Sequence, residues 1–428
     1  MSHILADLKA FLDASPTSWH TVREMGNRLA TRDFIPLKAD EKWHLEPGKK
    51  YFTEHGGAFC AFCVPEKRPE KAIILAAHTD SPSLKLKPKP TTYKENLAQF
   101  GVEVYSSPLL TSWLNRDLAL AGRVVITNPS GYVEERLVHL DDAILFIPQL
   151  AVHLDRDIHE KGVLLNKQEH LSPIVEITDQ KGEPLTALEK ILRRHLSFEQ
   201  LLSFELFLVP IEPARFVGFD HEMLASYRLD NLSNVHAVLS ALGTTANKAS
   251  SKTLQMVVFW DNEEIGSRSA DGAASPFLSD LLQRISLNLG LSQEEHFILK
   301  NHSFCVSTDM THALNPNYVS KYDPQHQVHL KKGIVIKSNA DQKYASNARS
   351  SAVIVRACQM LGLSYQHFVS RSDIHSGSTV GPIVAGVTGI TTVDIGIAEL
   401  SMHSIREVMA CQDYLDMYRL LTYLLQEA

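Results

Sequence analysis

Residues 71–80 read KAIILAAHTD, an apolar run that breaks off at His78-Thr79-Asp80. An unbroken apolar stretch from Ala72 to Ala77 suits a strand covered on both faces, as in the middle of a parallel sheet. In open α/β sheets, ligand sites form outside the carboxyl ends of such strands. The polar triplet is therefore the first place to look for chemistry. A carboxylate that holds the far ring nitrogen of a histidine fixes its tautomer for metal binding, although His-x-Asp also closes many ordinary buried strands.

Working outward, a second apolar strand is expected over 252–260, and Glu263-Glu264 follow it ahead of Ile265-Gly266-Ser267. Two adjacent carboxylates at the mouth of an apolar strand resist joint ionisation. A metal that binds one relieves that cost and leaves the other to take a proton from an activated water. Asp230 opens a helical stretch over 232–242, where it also reads as a helix cap. Asp309 follows the short strand Phe304–Val306, with His312 three residues on, and His403 lies ahead of a helical segment with Glu399 nearby. Each alone suits a cap or a surface position. Together, His78, Asp230, Glu264, Asp309 and His403, with Glu263 to spare, suit a two-metal hydrolase.

The rest of the chain supplies the frame. Helices are expected over Leu5–Leu12, Ser18–Leu29, 348–360 and 413–425, and further strands over 57–64, 334–336 and 391–395. From 91 to 220 the texture changes to short β-like stretches between Pro and Gly turns. The expectation is an α/β domain made of residues 1–90 and 221–428, interrupted by a β-rich insert over 91–220. Cys60 and Cys63 fall in the strand-like run GGAFCAFCV. A spacing of three in a strand points them to opposite faces, so they read as core residues and not as a metal or redox pair.

Composition narrows the function classes. With 428 residues, 44% hydrophobic and 21% charged, the chain has globular proportions and the length for two domains. A net charge of −7 offers no global field for nucleic acid or anionic lipid. The N-terminal residues interrupt their apolar positions with Asp7, Lys9 and Asp13, unlike a signal peptide, and no stretch has the apolar length of a membrane span. Five cysteines, an odd number, do not make a disulfide framework. A cytoplasmic protein that binds neither nucleic acid nor membrane is expected.

AAHTDSPSLKLKP (76–88), YRLDNL (227–232), DNEEIGS (261–267), STDMTHALNPNY (307–318) and SMHSIRE (401–407) resemble the aspartyl aminopeptidases, as do KYF (50–52), WLNRDLALAGRV (113–124), PQLAVHL (148–154) and KYASN (343–347). The resemblance runs from about residue 15 to the C-terminus. It implies a metallo-exopeptidase α/β/α sandwich with an inserted β-rich dimerisation domain. It also implies two Zn²⁺ per subunit, for which Mn²⁺ or Co²⁺ could substitute, with Asp230 bridging, His78 and Asp309 on one metal, and Glu264 and His403 on the other. Glu263 would be the general base and Asp80 the partner of His78. The implied substrates are peptides with N-terminal Asp or Glu, received by Lys337 with Tyr344 and His312; Lys343 and Arg371 are the alternative cations. The implied assembly is a homo-oligomer of dimers building to a dodecamer, in which His153 enters a neighbour's active site. Two other readings stay open: an aminopeptidase of neutral or broad preference, and an oligomeric scaffold whose peptidase activity is secondary.

Overall fold

The computed structural model describes residues 3–178, 185–246 and 252–427. Lys71–His78 lies inside a nine-stranded sheet, between Thr253–Trp260 and Phe304–Thr308, and all three strands run parallel. Outside them lie Ala58–Cys63, Lys50–His55 and Ile35–Pro36 on one side, and Thr391–Gly396, Ile334–Lys337 and Tyr365–Phe368 on the other. Alternation along the central strand feeds two separate cores. Ile73, Leu75 and Ala77 pack with the helices His3–Ala14, Leu229–Thr245, Ala348–Leu361 and Cys411–Gln426. Ala72, Ile74 and Ala76 pack with Phe277–Asn288, Gln293–His302 and Val380–Thr388. The result is an α/β/α sandwich. Cys60 and Cys63 fall into these two different cores, as their spacing predicts.

A closed barrel of six strands is inserted between Lys71–His78 and the rest of the sandwich. Its members are Ser83–Lys94, Leu97–Tyr105, Asp117–Thr127, Val133–Phe146, Ile174–Ile177 and Gln200–Pro210, around a core that includes Phe100, Trp113, Leu120 and Leu206. The first of these strands crosses the expected boundary at residue 91. The stretch that follows the barrel enters a third sheet that sequence periodicity did not suggest. In it, Arg215–Val217 pairs with Met223–Ser226, which pairs with Glu407–Ala410, then Ala398–Leu400, then Thr311–His312. Glu407–Ala410 therefore stands between His403 and the last helix, where the helix alone was expected. Among the described residues, no helix is long and apolar enough to cross a membrane.

Candidate metal centre

Three parallel strands deliver their carboxyl ends to one edge of the sandwich, and that places most of the candidate residues. His78 ends the central strand opposite Trp260. Glu263 and Glu264 form the short turn after Thr253–Trp260, and Asp309 follows Phe304–Thr308. Lys337 belongs to a strand that runs antiparallel to these three, and its side chain reaches the same cavity. Asp230 stands in the irregular first turn of Leu229–Thr245, where its peptide bond to Asn231 is cis; the N-cap of that helix is Arg228, not Asp230. His403 comes from the turn between Ala398–Leu400 and Glu407–Ala410 and has φ of 66°.

These side chains converge. Nε2 of His78 lies 3.3 Å from Oδ1 of Asp230 and 3.3 Å from Oδ1 of Asp309. Nε2 of His403 lies 3.4 Å from Oε2 of Glu264 and 3.7 Å from Oδ2 of Asp230. Ligand atoms of His78, Asp230 and Glu264 all lie within 4.8 Å of one another. Both imidazoles have the far nitrogen engaged: Nδ1 of His403 lies 3.1 Å from the carbonyl oxygen of Ser107, and Nδ1 of His78 lies 3.1 Å from that of Asp80. The Asp80 carboxylate is slightly farther from His78, at 3.4 Å. It also accepts the backbone N–H groups of Glu263 and Glu264 and the hydroxyl of Tyr105. Asp80 thus ties the histidine to the glutamate turn.

The charge balance fits a cation. Burial and then the neighbouring carboxylates of Asp230 and Glu263 push Glu264 well above the usual carboxylate range. Burial pushes Glu263 up to about 8, with Asp309, Asp80 and Asp230 adding to the effect and His78 opposing it. Burial lowers the imidazole of His78, but the surrounding carboxylates of Asp230, Asp309 and Asp80 outweigh it and hold it well above its usual value. Oδ1 of Asp230 and Oε1 of Glu264 are buried without a hydrogen-bond partner. Unpaired anionic oxygens are costly to bury, and a donor set of carboxylates and imidazoles in this arrangement suits zinc.

The centre opens on a cavity of about 290 Å³ whose lining also includes His312, Lys337 and Tyr344. Lys337 is buried and donates to Oδ2 of Asp309 at 2.9 Å and to the carbonyl oxygen of Met310. That ammonium, together with His78, holds Asp309 below the usual carboxylate range against the effect of burial. The close approach depends on Gly396, where a Cβ would fall 2.2 Å from the Asp309 carbonyl oxygen and 3.1 Å from Cε of Lys337. Of the alternative cations, Lys343 is exposed and away from the cavity lining, and Arg371 is paired with Asp373. His153 is exposed and lies outside the cavity of its own chain.

Three contributors had no role assigned from the sequence. Ser106 donates to Oε2 of Glu264 at 3.0 Å, and Ser107 supplies the carbonyl for His403; both follow a barrel strand, so only the tertiary structure reveals them. Glu407 accepts the backbone N–H groups of Asp230 and His403. Its place at the end of the SMHSIRE string was the one available signal.

Comparison with known proteins agrees with this architecture. Residues 11–424 match the family Peptidase_M18, described as aminopeptidase I zinc metalloprotease. The chain is 39% identical over 412 residues to a probable M18 family aminopeptidase 2 of Clostridium acetobutylicum, covering 95% of this chain and 94% of that protein. It is 35% identical to an aspartyl aminopeptidase of Dictyostelium discoideum, covering 94% and 92% respectively. Among solved structures, it superposes with a TM-score of 0.94 and 34% identity on a chain of the Ape4 and Nbr1 complex, covering 99% of this chain and 85% of that one. An M18 aminopeptidase of Thermotoga maritima gives a TM-score of 0.86 at 26% identity, with 99% and 97% covered. The chain belongs to the M18 peptidases, the aminopeptidase I zinc metalloproteases, and is an aminopeptidase.

Proposed function

We propose that this aminopeptidase removes N-terminal Asp or Glu from peptides and works with two zinc ions. The observation that carries the reading is the convergence of His78, Asp230, Glu264, Asp309 and His403, with two buried carboxylate oxygens that accept no hydrogen bond, beside a Glu263 in no ion pair. Asp230 would bridge, with His78 and Asp309 holding one ion and Glu264 and His403 the other. When bound, zinc acts as a Lewis acid that lowers the pKa of water and polarises a carbonyl.

The chain's own groups do the rest. Glu263 lines the cavity with its carboxylate uncommitted to any cation of the protein, so it is placed to take the proton of the attacking water. The same carboxyl then passes that proton to the departing amine. Asp80 holds both the Glu263 backbone and His78, so the base and a ligand share one anchor. Lys337, with Tyr344 and His312 on the same wall, would receive the acidic side chain of the substrate.

A second reading, a preference for neutral N-terminal residues, draws on one specific observation. The ammonium of Lys337 already donates to Asp309 and to the Met310 carbonyl, which leaves less of its charge for a substrate. Comparing acidic with neutral N-termini, in wild type and in Lys337→Ala, decides between them.

The exposed apolar side chains Leu150, Val152 and Leu154, next to His153 in sequence, support a homo-oligomer in which the barrel and its flanks mediate contact between subunits. We assign the barrel and its flanks, near 91–220, to that role and the two remaining segments to catalysis; association through dimers to a dodecamer and entry of His153 into a neighbour's site belong to the same proposal. Five unpaired cysteines, all buried, suit a reducing compartment such as the cytoplasm.

A further inference from the structure

We infer that Glu407 is a positioning residue that sets the spacing between two metal ligands by binding their backbones with a single carboxylate. Oε1 accepts the N–H of His403 at 2.8 Å, and Oε2 accepts the N–H of Asp230 at 3.0 Å. The side chain is only 2% exposed. The inference rests on the two-metal reading of this centre.

The topology explains why one residue can reach both. Glu407 pairs with Ser226 at the end of the antiparallel ladder Met223–Ser226 and Glu407–Ala410. The stretch leading to Asp230 leaves from one side of that rung, and the turn carrying His403 arrives on the other. Neither backbone is held by regular secondary structure at the point of ligation. Asp230 has non-helical dihedrals in the first turn of its helix, and His403 adopts the left-handed region that non-glycine residues rarely occupy. With such dihedrals the Asp230 N–H has no helical partner, and Glu407 supplies one although burial and the Asp230 carboxylate push its own carboxyl well above the usual range. With both oxygens used, the carboxylate fixes two otherwise loosely determined backbones relative to each other, and the side chains of Asp230 and His403 end 3.7 Å apart.

Glutamine tests the idea because its one carbonyl oxygen satisfies a single N–H while its NH₂ group faces the other donor. Metal-free wild type and Glu407→Gln are titrated with zinc against a chromophoric chelator. Hydrogen–deuterium exchange of the metal-free proteins is followed by mass spectrometry. The expected result is zinc affinity weakened about 10–100-fold at one or both sites, faster exchange in segments 227–232 and 401–406, and unchanged exchange in 71–78. Unchanged zinc affinity overturns the inference even if exchange rises, and so does weaker zinc binding with unchanged exchange in those two segments. If Glu407→Gln does not fold, Glu407→Asp keeps the charge but is too short to reach both amides, and the same outcomes apply. Wild type that binds fewer than two zinc ions defeats the two-metal reading, whereas the exchange comparison still decides whether Glu407 ties the two segments together.

Discussion

Tyr105, the last residue of a barrel strand, donates its hydroxyl hydrogen to Oδ2 of Asp80 at 2.8 Å and accepts from Nδ2 of Asn262 at 2.9 Å. The barrel therefore touches the carboxylate that anchors both His78 and the Glu263-Glu264 turn. Tyr105→Phe leaves a carboxylate oxygen and an amide each short of one partner, at a cost of about 1–3 kcal/mol for buried groups. We expect kcat/KM to fall about 10-fold in the zinc-loaded protein, with the barrel intact by circular dichroism. Full activity in this variant would show that Asp80 needs no support from the barrel.

Glu263→Gln keeps the shape of the side chain and removes the proton acceptor. Hydrolysis should fall by about 10²–10⁴-fold, while bound zinc, counted by elemental analysis in the same sample, stays at the wild-type level. Loss of zinc together with activity would make Glu263 a ligand instead of a base.

Much of the sandwich was legible because its signals are local. The run Ala72–Ala77 could be neither a surface strand nor a loop, and Asp309 and Glu263 each follow an apolar strand at the same edge. The barrel was legible only as β-rich texture. Its closure rests on pairings distant in sequence, such as Gln200–Pro210 with Asp117–Thr127. The start at Ser83 was missed although Asp80-Ser81-Pro82 separate it from His78, because Pro88 and Pro90 inside Ser83–Lys94 make that strand read as a loop. The third sheet joins five short strands spread from Arg215 to Ala410, too short for any to show a period. Glu407 escaped for a related reason: its partners are backbone N–H groups, so only its place in the SMHSIRE string pointed to it.

His20 gives a pH dependence away from the metal centre. Its ring is buried, with Nδ1 2.8 Å from the Thr17 hydroxyl and Nε2 without a partner. Burial first, and then the positive surroundings of Arg23, His139 and Arg228, push its pKa down to about 3 from 6.5. The unfolded chain therefore takes up a proton below about 6.5 that the folded one refuses. The contribution to stability is complete above that pH and is lost on acidification, by about 1.4 kcal/mol per pH unit. Urea unfolding of His20→Gln between pH 5 and 7 should show a flatter profile than wild type, with the difference confined to the acidic side. Parallel profiles would mean that His20 does not control this slope.

Lys337→Ala removes the buried ammonium from both Asp309 and the proposed acidic pocket. With zinc saturating, we expect kcat/KM for acidic N-termini to fall about 10–100-fold, the range for a hydrogen bond to a charged group, and neutral substrates to change much less. An equal loss on both substrate classes would assign Lys337 to the support of Asp309 alone.

The most direct test of the account is the rate at which the zinc-loaded wild type releases the first residue from peptides that differ only at that position. N-terminal Asp and Glu should give higher kcat/KM than Ala and Leu. Faster release of Ala or Leu would contradict the acidic preference, and no release from any peptide with zinc bound would contradict the assignment of Glu263 and the proposed metal ligands.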